Sequence, residues 1–547
     1  MVDVEPPEDQ GPAARVSEEA EEFETERATE ERYRWGVGIT LALLALLGAW
    51  IALLATDAAT NESNTTREAT RLGAEAQTAE VVAQGAEAGI EQILAEVAQL
   101  GSRPGFQVAS TLESQGIELD PESEAERLAQ AQAQLEAATA GATDRRTATR
   151  EQAAGASLEQ TAVVAERVTW NARASQYETV LTVLAVAVFL VGFTMVVSRG
   201  LRPPFVVPGT VLAVVCFGWA LQIHAKPIPR VAPEAIEATA AGQVATDEGR
   251  PEDAVVDFTR AVDAQGDYAA ARRGLGVAIL TTGNPDLLRT WAITDDSPAL
   301  TDPATAELEE AVELAGDDAV TLTAAAIAAV VRSDWADAAG LIEDALAENE
   351  RAPGLLLSRS AVAVAEGDGD LARSWLDRAV PELTELAGTD TDRALAAQYL
   401  TLLEWVTRQA PEHAALAGEL RDQAILFIAR ARAAATPQAD IGSGAAPAGA
   451  TIAVETLEYR DDTTTARFAV SGVASGQQVI IAVYERPSPG GPWVQAPELF
   501  YVGEVPPGEG FTFRTPRACH PLEYRVDLYV DGVAADSTTS PGTVATC

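Results

Sequence analysis

Histidine, cysteine and carboxylate side chains are the residues through which this sequence could bind a metal ion or carry out catalysis. The 547-residue chain contains three histidines, His224, His413 and His520. None of them has a cysteine, a second histidine or a carboxylate at the spacing of a zinc site. The sequence also lacks a phosphate-binding glycine loop, a nucleophile elbow and a dinucleotide-binding fingerprint. We therefore expect no enzyme activity, no metal site and no cofactor.

A short run of alternating glycine and aspartate, residues 367–370, is similar to the beginning of a calcium-binding loop. The glutamate that completes such a loop is missing from its expected place. Glycine and aspartate in this arrangement are also typical of tight turns. We interpret the run as a turn between two helices.

The charge of the whole chain narrows the classes of partner. Asp and Glu number 82 against 38 Lys and Arg, which gives a formal net charge of -44 at pH 7. Such an acidic surface repels nucleic acid, because binding to phosphates requires a basic patch. The preference for Arg over Lys and the abundance of Ala are typical of a high-GC bacterium or of a salt-adapted microbe. We expect protein or peptide partners and no nucleic acid.

The N-terminal part combines an acidic segment with an apolar one. Residues 1–34 hold twelve acidic residues against four arginines, together with prolines and few side chains that could be buried. This composition predicts a disordered tail. Residues 35–55 contain no charge, and about 20 apolar residues in a helix cross a hydrocarbon layer of ~30 Å. We predict the first transmembrane helix there.

Residues 56–178 are rich in Ala, Glu and Gln, and their larger apolar side chains follow helical spacing. One helix is predicted to end near Gly101. A second is predicted to begin at Pro121, with Asp120 as its N-cap. The sequence thus predicts an extracytoplasmic helical hairpin, which could form a homo-oligomer through a coiled coil.

Two more apolar segments follow, and we predict transmembrane helices at 179–198 and 205–223. The loop between them is too short for anything but a turn. Trp219, near the end of the last segment, fits an interfacial anchor. The three segments contain no charged side chain that would indicate a path for ions.

Three windows further along the chain share one pattern of small and large apolar residues. They are Ala254-x3-Phe258-x2-Ala261, Ala338-x3-Ile342-x2-Ala345 and Ala372-x3-Leu376-x2-Ala379. The last two begin 34 residues apart. The pattern is typical of one helix face packed closely against a neighbouring helix.

The period and these residues resemble the tetratricopeptide repeat (TPR) family, which has two helices per 34-residue repeat. Registers that begin at Ala235, Ala269, Ala319 and Pro353 place further residues on family positions. Leu275-Gly276 falls on the family's Leu-Gly pair, and Gly242, Gly249, Gly283 and Gly367 fall on glycine or turn positions. The second repeat loses the pattern after Asn284, and the family's helix-A tryptophan is missing. The resemblance implies a TPR-like solenoid over 231–435, with the last two helices as a cap. The chain also resembles uncharacterised three-span bacterial proteins that carry TPRs.

The resemblance implies a partner-binding groove on the concave face of the solenoid. By family analogy the groove residues are Thr239, Gln243, Arg273, Val277, Thr323, Ile327, Val331, Leu357 and Val364. They lack the Lys and Asn pair with which some TPRs grip a C-terminal carboxylate. The apolar later repeats suit an amphipathic helix or an extended peptide. The alternative is that these residues only pack against the next repeat.

The C-terminal hundred residues change their period. Residues 436–449 are rich in Ala, Gly, Pro and Ser, as in a flexible linker. In 450–547 apolar residues alternate with polar ones, for example Tyr524, Val526 and Leu528, and Asp531-Gly532 is a hairpin turn signal. Short strands at this spacing predict a small β-sandwich of immunoglobulin or fibronectin type.

Charges beside the apolar segments predict the orientation of the chain. Arg32 and Arg34 precede the first segment, and Arg199 and Arg202 lie in the only loop on the same side. Positive residues favour the cytoplasmic side, so we expect a cytoplasmic N-terminus in a bacterial inner membrane, with the solenoid and the β domain outside.

Two cysteines, Cys519 and Cys547, lie in the same small domain, which favours a disulfide and an oxidising compartment. Two unpaired thiols are the alternative.

Together these features predict a mainly α protein with three transmembrane helices, a helical hairpin, a TPR-like solenoid and a small β-sandwich. The function that they favour is a non-catalytic membrane-anchored scaffold. An envelope sensor that uses the hairpin and an accessory subunit of a secretion or transport system are the alternatives.

Overall fold

The computed structural model describes residues 12–101, 121–386, 389–435, 450–460, 463–474, 477–486, 493–504, 511–516, 523–530 and 533–539. The chain divides into two compact units, residues 1–231 and 232–547. The predicted linker 436–449, both cysteines of the predicted disulfide and His520 lie outside the described residues.

The first unit is built on two very long helices, α1 (Pro12–Gly101) and α2 (Pro121–Phe193). Both are dominated by Ala, Glu, Gln and Arg, which are strong helix formers. Residues 12–34 were predicted to be disordered, and here they form the beginning of α1. The prediction was wrong because a charged composition poor in large apolar residues is typical of a solvent-exposed helix as well as of a disordered tail. Ion pairs one turn apart, such as Glu30–Arg34, stabilise such a helix.

The two long helices pack antiparallel as the predicted hairpin. Gly48 faces Leu184, Gly73 faces Gln160, and Glu87 pairs with Arg150. These pairs run in opposite directions along the two helices, and large side chains such as Ile51 and Leu72 are buried between them. Small residues at the seam let the two backbones approach, since a Cβ on Gly73 would lie 2.8 Å from Nε2 of Gln160.

A third helix, α3 (Pro203–Ala225), completes the first unit after a short 3-10 turn at Arg199–Leu201. Among the described residues, three helices are long and apolar enough to cross a membrane. The second apolar segment was predicted to continue to residue 198, but α2 ends at Phe193. The hydroxyl of Thr194 donates to the Val191 carbonyl at 2.6 Å, as the last turn tightens before the loop.

The second unit opens with pairs of helices that stack in sequence. The first five helices are α4 (Pro233–Asp247), α5 (Pro251–Ala264), α6 (Ala269–Gly283), the four-residue α7 (Leu287–Thr290) and the longer α8 (Pro298–Ala315). The next four are α9 (Ala319–Val331), α10 (Trp335–Glu348), α11 (Pro353–Ala365) and α12 (Gly369–Glu385). The pairs α4/α5, α6/α8, α9/α10 and α11/α12 form a TPR-like helical array.

The second helix of each pair carries a buried large residue between two buried alanines. Phe258, Ile342 and Leu376 are 2%, 1% and 1% exposed, as the repeated windows predicted. The structure adds a fourth window, Ala304-x3-Leu308-x2-Ala311, with Leu308 1% exposed. Ala304 lies 34 residues before Ala338, so the second repeat does not degenerate. An insertion within it, residues 284–297, had hidden the period.

Asn284 fixes the shape of this insertion. Its side chain is fully buried, and its Nδ2 donates to the carbonyls of Leu280 and Asp295 at 3.0 and 2.9 Å. Its Oδ1 accepts from the backbone N–H groups of Thr294 and Asp295 at 2.7 and 2.9 Å. One amide therefore holds both ends of the insertion together. Between them Trp291 adopts a left-handed conformation, with φ of 57°.

Two further helices, α13 (Asp390–Gln409) and α14 (Ala414–Ala435), follow the array at the predicted place of the cap. Trp405 of α13 donates its indole N–H to the carbonyl of Val330 at 3.2 Å. The described part of the C-terminal region contains seven strands: β1 (Thr451–Arg460), β2 (Thr463–Ser471), β3 (Gln478–Arg486), β4 (Val494–Glu504), β5 (Phe511–Pro516), β6 (Glu523–Val530) and β7 (Val533–Thr539). They form two antiparallel sheets, in the orders β1-β2-β5 and β4-β3-β6-β7.

The second of these sheets is buried on both faces. On one face, Val479, Ile481, Val526 and Leu528 share a core with Phe468 of the first sheet. On the other face, Ile480, Ala482, Tyr484 and Tyr529 belong to the core of the helical array. The sheet is thus packed directly on the last helix pair, which the sequence predicted to be the cap of the solenoid. The residues that alternate with Tyr524 and Val526 face α13 and α14 instead of water.

Charged groups join the sheet to the helices. Glu404 of α13 accepts from Arg421 of α14 at 3.2 Å and from Arg525 of β6 at 2.8 Å. The guanidinium of Arg525 also lies over the Tyr484 ring, 4.1 Å from its centroid. Burial would raise the pKa of Glu404, but Arg525 and Arg421 outweigh it and hold this pKa below its ordinary value. The hydroxyl of Tyr529 donates to Asp422 at 3.0 Å.

Candidate functional site

The candidate site is a groove of about 680 Å³ on the inner face of the helical array. The first helices of the four pairs, α4, α6, α9 and α11, contribute most of its wall. The insertion, α13, Phe258 of α5 and the turn between α10 and α11 contribute the rest. The lining residues that matter below are Gln243, Arg273, Val277, Leu288, Trp291, Thr323, Ile327, Asn349, Leu357, Ser358, Leu395, Gln398 and Leu402.

Six of the nine residues that family analogy placed in the groove line this cavity. They are Gln243, Arg273, Val277, Thr323, Ile327 and Leu357. Helical spacing brings them together, because positions four residues apart on one helix share a face.

The other three residues are part of the core. Thr239, Val331 and Val364 are fully buried, and the Thr239 hydroxyl donates to the Ala235 carbonyl at 2.7 Å. Their helices pack on neighbours over more of their circumference than a surface helix does, so these positions do not reach the groove.

Several lining residues were not anticipated from the sequence. Leu288 and Trp291 come from the insertion, and Leu395, Gln398 and Leu402 come from α13. Nε2 of Gln398 donates to the carbonyls of Leu288 and Arg289, both at 3.2 Å, so the insertion is tied to α13. A break in a 34-residue period is a signal for an insertion, but its place in space depends on the packing of distant helices.

Arg273 is the one cation among the described lining residues, and Asp247 is the one anion. Nη1 of Arg273 lies 3.2 Å from Oδ2 of Asp318 and 3.1 Å from the Thr321 hydroxyl. Asp318 caps α9 by accepting from the Thr321 backbone N–H at 2.9 Å. Burial would raise the pKa of Asp318, but the bonds from Thr321 and the charge of Arg273 lower it overall. The cation is therefore held by a carboxylate.

The chemistry of the remaining lining is that of a neutral, mostly apolar surface with a few amides and hydroxyls. Val277, Ile327 and Leu357 provide apolar contact, while Gln243, Asn349 and Gln398 can donate to and accept from a peptide backbone.

The glycine–aspartate run at residues 367–370 is a turn followed by a helix cap. Gly367 has φ of 79°, which glycine adopts without strain. The Asp368 carboxylate accepts from the Leu371 backbone N–H at 2.9 Å and so caps α12. In the described part of the chain, no group of three or more His, Cys, Asp and Glu side chains could hold a metal ion.

No protein-family model matches this sequence, and no curated protein matches it. Among solved structures, the crystal structure of MamA protein is 15% identical, with a TM-score of 0.26, over 38% of this chain and 97% of that chain. PilF of Pseudomonas aeruginosa is 17% identical, with a TM-score of 0.24, over 44% of this chain and 90% of that chain. TM-scores this low do not establish a shared fold, and it is the helix pairs and their 34-residue period that define a helical-repeat protein.

Proposed function

We propose that this chain is a non-catalytic scaffold, anchored in a membrane, that binds a segment of a partner protein in the groove. The observation that carries the proposal is the composition of the groove. A chain with a net charge of -44 presents there a cavity of about 680 Å³ that is lined mainly by uncharged residues. An apolar concave surface with a few convergent polar groups is typical of a binding site.

The groove favours a partner segment that is apolar or amphipathic. Its neutral lining offers little to a strongly charged peptide, since Arg273 is already paired with Asp318. Cavities of this volume accommodate several side chains, and apolar anchors at helical spacing would meet Val277, Ile327 and Leu357. The acidic surface around the groove disfavours an acidic partner and favours one that is neutral or basic.

Anchoring in a membrane is supported by the three long apolar helices of the first unit. Their exposed faces carry large apolar side chains such as Leu46, Leu53, Phe189 and Val214, each at least 66% exposed. Soluble proteins rarely expose continuous apolar surfaces of this kind to water. We include in the proposal a bacterial inner membrane, a cytoplasmic N-terminus and an extracytoplasmic solenoid. The two C-terminal sheets form a β-sandwich of immunoglobulin or fibronectin type in this proposal.

A site-specific photo-crosslinker tests the groove. Placed at Thr323, which lines the cavity, it should give one defined cross-linked protein in the native host. Placed at Val256, which is 65% exposed on α5 and outside the groove, it should not give that product. Mass spectrometry of the product identifies the segment that was contacted, and a synthetic peptide of that segment can be titrated against the purified chain.

The decisive comparison is between two charge insertions. We expect Ile327→Glu to weaken binding of the peptide by at least about tenfold, because a carboxylate would be buried against the partner. Val256→Glu should leave the affinity unchanged. Equal binding of the peptide to both variants would show that the groove is not the binding surface.

A further inference from the structure

A second cavity lies in the first unit, at the end of the apolar helices where α1 enters and α2 leaves. It has a volume of about 340 Å³, and its lining residues are Thr29, Glu30, Tyr33, Arg199, Arg202, Pro203, Val206 and Val207. The size is within the range of small-ligand pockets. The large exposed apolar residues of α1 begin at Trp35, so the cavity lies where the apolar surface meets the polar end of the helices.

The polar side of this cavity is cationic. Arg202 donates to Glu30 at 3.1 Å and to the Val197 carbonyl at 3.3 Å, and its side chain is only 12% exposed. Glu30 also lies 3.5 Å from Arg34. Among the lining residues, the two arginines Arg199 and Arg202 stand against one carboxylate, that of Glu30, which leaves an excess of one positive charge.

An aromatic ring lies beneath one of the arginines of the cavity. The guanidinium of Arg202 lies over the Tyr33 ring, 4.5 Å from its centroid. The ring and the bond to Glu30 hold this guanidinium in place at the cavity. An anionic oxygen in the cavity would therefore meet a positioned arginine, with Arg199 beside it as a second cationic lining residue.

The opposite side of the cavity is apolar and opens outwards. Pro203, Val206 and Val207 form this side, and Val207 is 60% exposed. It continues along α3 into Val211 and Val214, which are also exposed. A ligand with a phosphate at one end and a hydrocarbon chain at the other would satisfy both sides, whereas a free phosphate would leave the apolar side bare.

We propose that this cavity binds one anionic phospholipid, with the phosphate against Arg199 and Arg202 and an acyl chain along Val206 and Val207. Basic pockets between transmembrane helices bind anionic headgroups for this reason. The inference rests on the membrane anchoring in the proposed function, but it is independent of the groove.

The test uses the full chain, purified in detergent and titrated with phosphatidylglycerol or with phosphatidylcholine of the same acyl chains. Native mass spectrometry counts the lipids that are retained. We expect one phosphatidylglycerol to be retained in preference to phosphatidylcholine. Arg199→Gln should weaken this retention about five- to tenfold, since one arginine contact is lost. Val206→Trp should also weaken it, because the indole fills the apolar side without changing the charge.

Arg173→Gln is the matched control. Arg173 lies on the same helix bundle next to Trp170, near the other end of the apolar region, and its removal changes the charge by the same amount. It should retain phosphatidylglycerol as the wild type does. Circular dichroism confirms that each variant keeps its helices. Inorganic phosphate at millimolar concentration should not displace the lipid.

Three results would overturn the proposal: equal retention of the two lipids, equal loss in Arg199→Gln and Arg173→Gln, or displacement by inorganic phosphate alone. Failure of the anchoring itself has a different readout. If the chain is not anchored, alkaline extraction of native membranes releases the wild-type chain. If it stays in the membrane but shows no preference for phosphatidylglycerol, only the lipid site is contradicted.

Discussion

Phe258 shows how a single residue depends on the absence of side chains around it. A Cβ on Gly242 would lie 2.9 Å from the Phe258 ring, and a Cβ on Gly274 would lie 2.2 Å from it. The ring is 2% exposed and packs in the space that the two glycines leave. The aromatic residue and its glycines come from α5, α4 and α6, so one side chain joins the first repeat to the second.

Truncation of the anchors should be costly. We expect Phe258→Ala, Leu308→Ala and Leu376→Ala each to lower the free energy of unfolding by about 2–5 kcal/mol, through lost apolar contact and the cavity left behind. Urea titrations followed by circular dichroism measure this. Val256→Ala, at a 65% exposed position of the same helix as Phe258, should change it by less than about 0.5 kcal/mol. Equal effects at Val256 and Phe258 would contradict the packing described.

Two glycine-to-alanine substitutions should change the stability of the fold in opposite directions. Gly274→Ala forces a methyl group against the Phe258 ring and should cost about 1–3 kcal/mol. Gly340→Ala, in the interior of α10 with open space around it, should stabilise by about 0.5–1 kcal/mol because alanine loses less entropy in a helix. Thermal melts of the two variants beside the wild type decide this. Phe258→Leu should recover part of the loss in the Gly274→Ala background.

At the scale of elements, one sheet takes part in two cores, and its polar residues serve as contacts between domains. Arg525 alternates with Tyr524 and Val526 along β6, a pattern that in an ordinary sandwich indicates a solvated face. Here the side chain of Arg525 is 15% exposed and pairs with Glu404 of α13. The alternation is real, but the second face of the strand lies against helices.

The Glu404 cluster should make the docked sheet sensitive to acid. Because the pKa of Glu404 is lowered in the folded state, its contribution to stability is present above its ordinary value of 4.5 and is lost as pH falls through the lowered value. Glu404→Gln should cost about 3–5 kcal/mol at pH 7, since Arg421 and Arg525 lose their shared counter-charge. The difference between variant and wild type should shrink at pH 3. A difference independent of pH in urea titrations would show that Glu404 acts by shape alone.

The hairpin of the first unit has a defined register that a cross-link can check. Cysteines placed at Gly73 and Gln160, with the three natural cysteines replaced by serine, should be joined by a short bifunctional maleimide, because these positions face each other. A pair at Gly73 and Arg145 should not react, since Arg145 lies about 15 residues away along α2, which is roughly 22 Å of helix. Cross-linking of both pairs would contradict a fixed antiparallel register.

For the whole molecule, orientation in the membrane and the predicted disulfide are tested together. With the N-terminus inside, protease added to intact spheroplasts should digest the solenoid and leave residues 1–34 uncut. Cys519 and Cys547 should then resist alkylation until a reductant is added, since disulfides persist outside the cytoplasm. A protected solenoid with two reactive thiols would reverse the orientation and move the search for partners into the cytoplasm.

Much of the organisation of this chain is determined by local sequence. Runs of apolar residues mark the helices of the first unit, since length and hydrophobicity suffice to define them. The 34-residue period marks the helix pairs, because each anchor such as Ile342 repeats the same local contact. Six residues that line the groove were placed there by the resemblance to the TPR family, which assigns one face of each first helix to the groove.

Other features were decided only by tertiary structure, where contacts join residues far apart in sequence. The buried state of Thr239, Val331 and Val364, and the entry of Trp291 into the groove, depend on how neighbouring helices and the insertion pack. The docking of β6 on α13 joins Arg525 to Glu404 across more than a hundred residues. Periodicity reports which face of an element is apolar or polar, but it does not report what that face meets. Tertiary packing decides what each face contacts, because a polar face can lie against another element when its charges are paired there, as Arg525 is with Glu404.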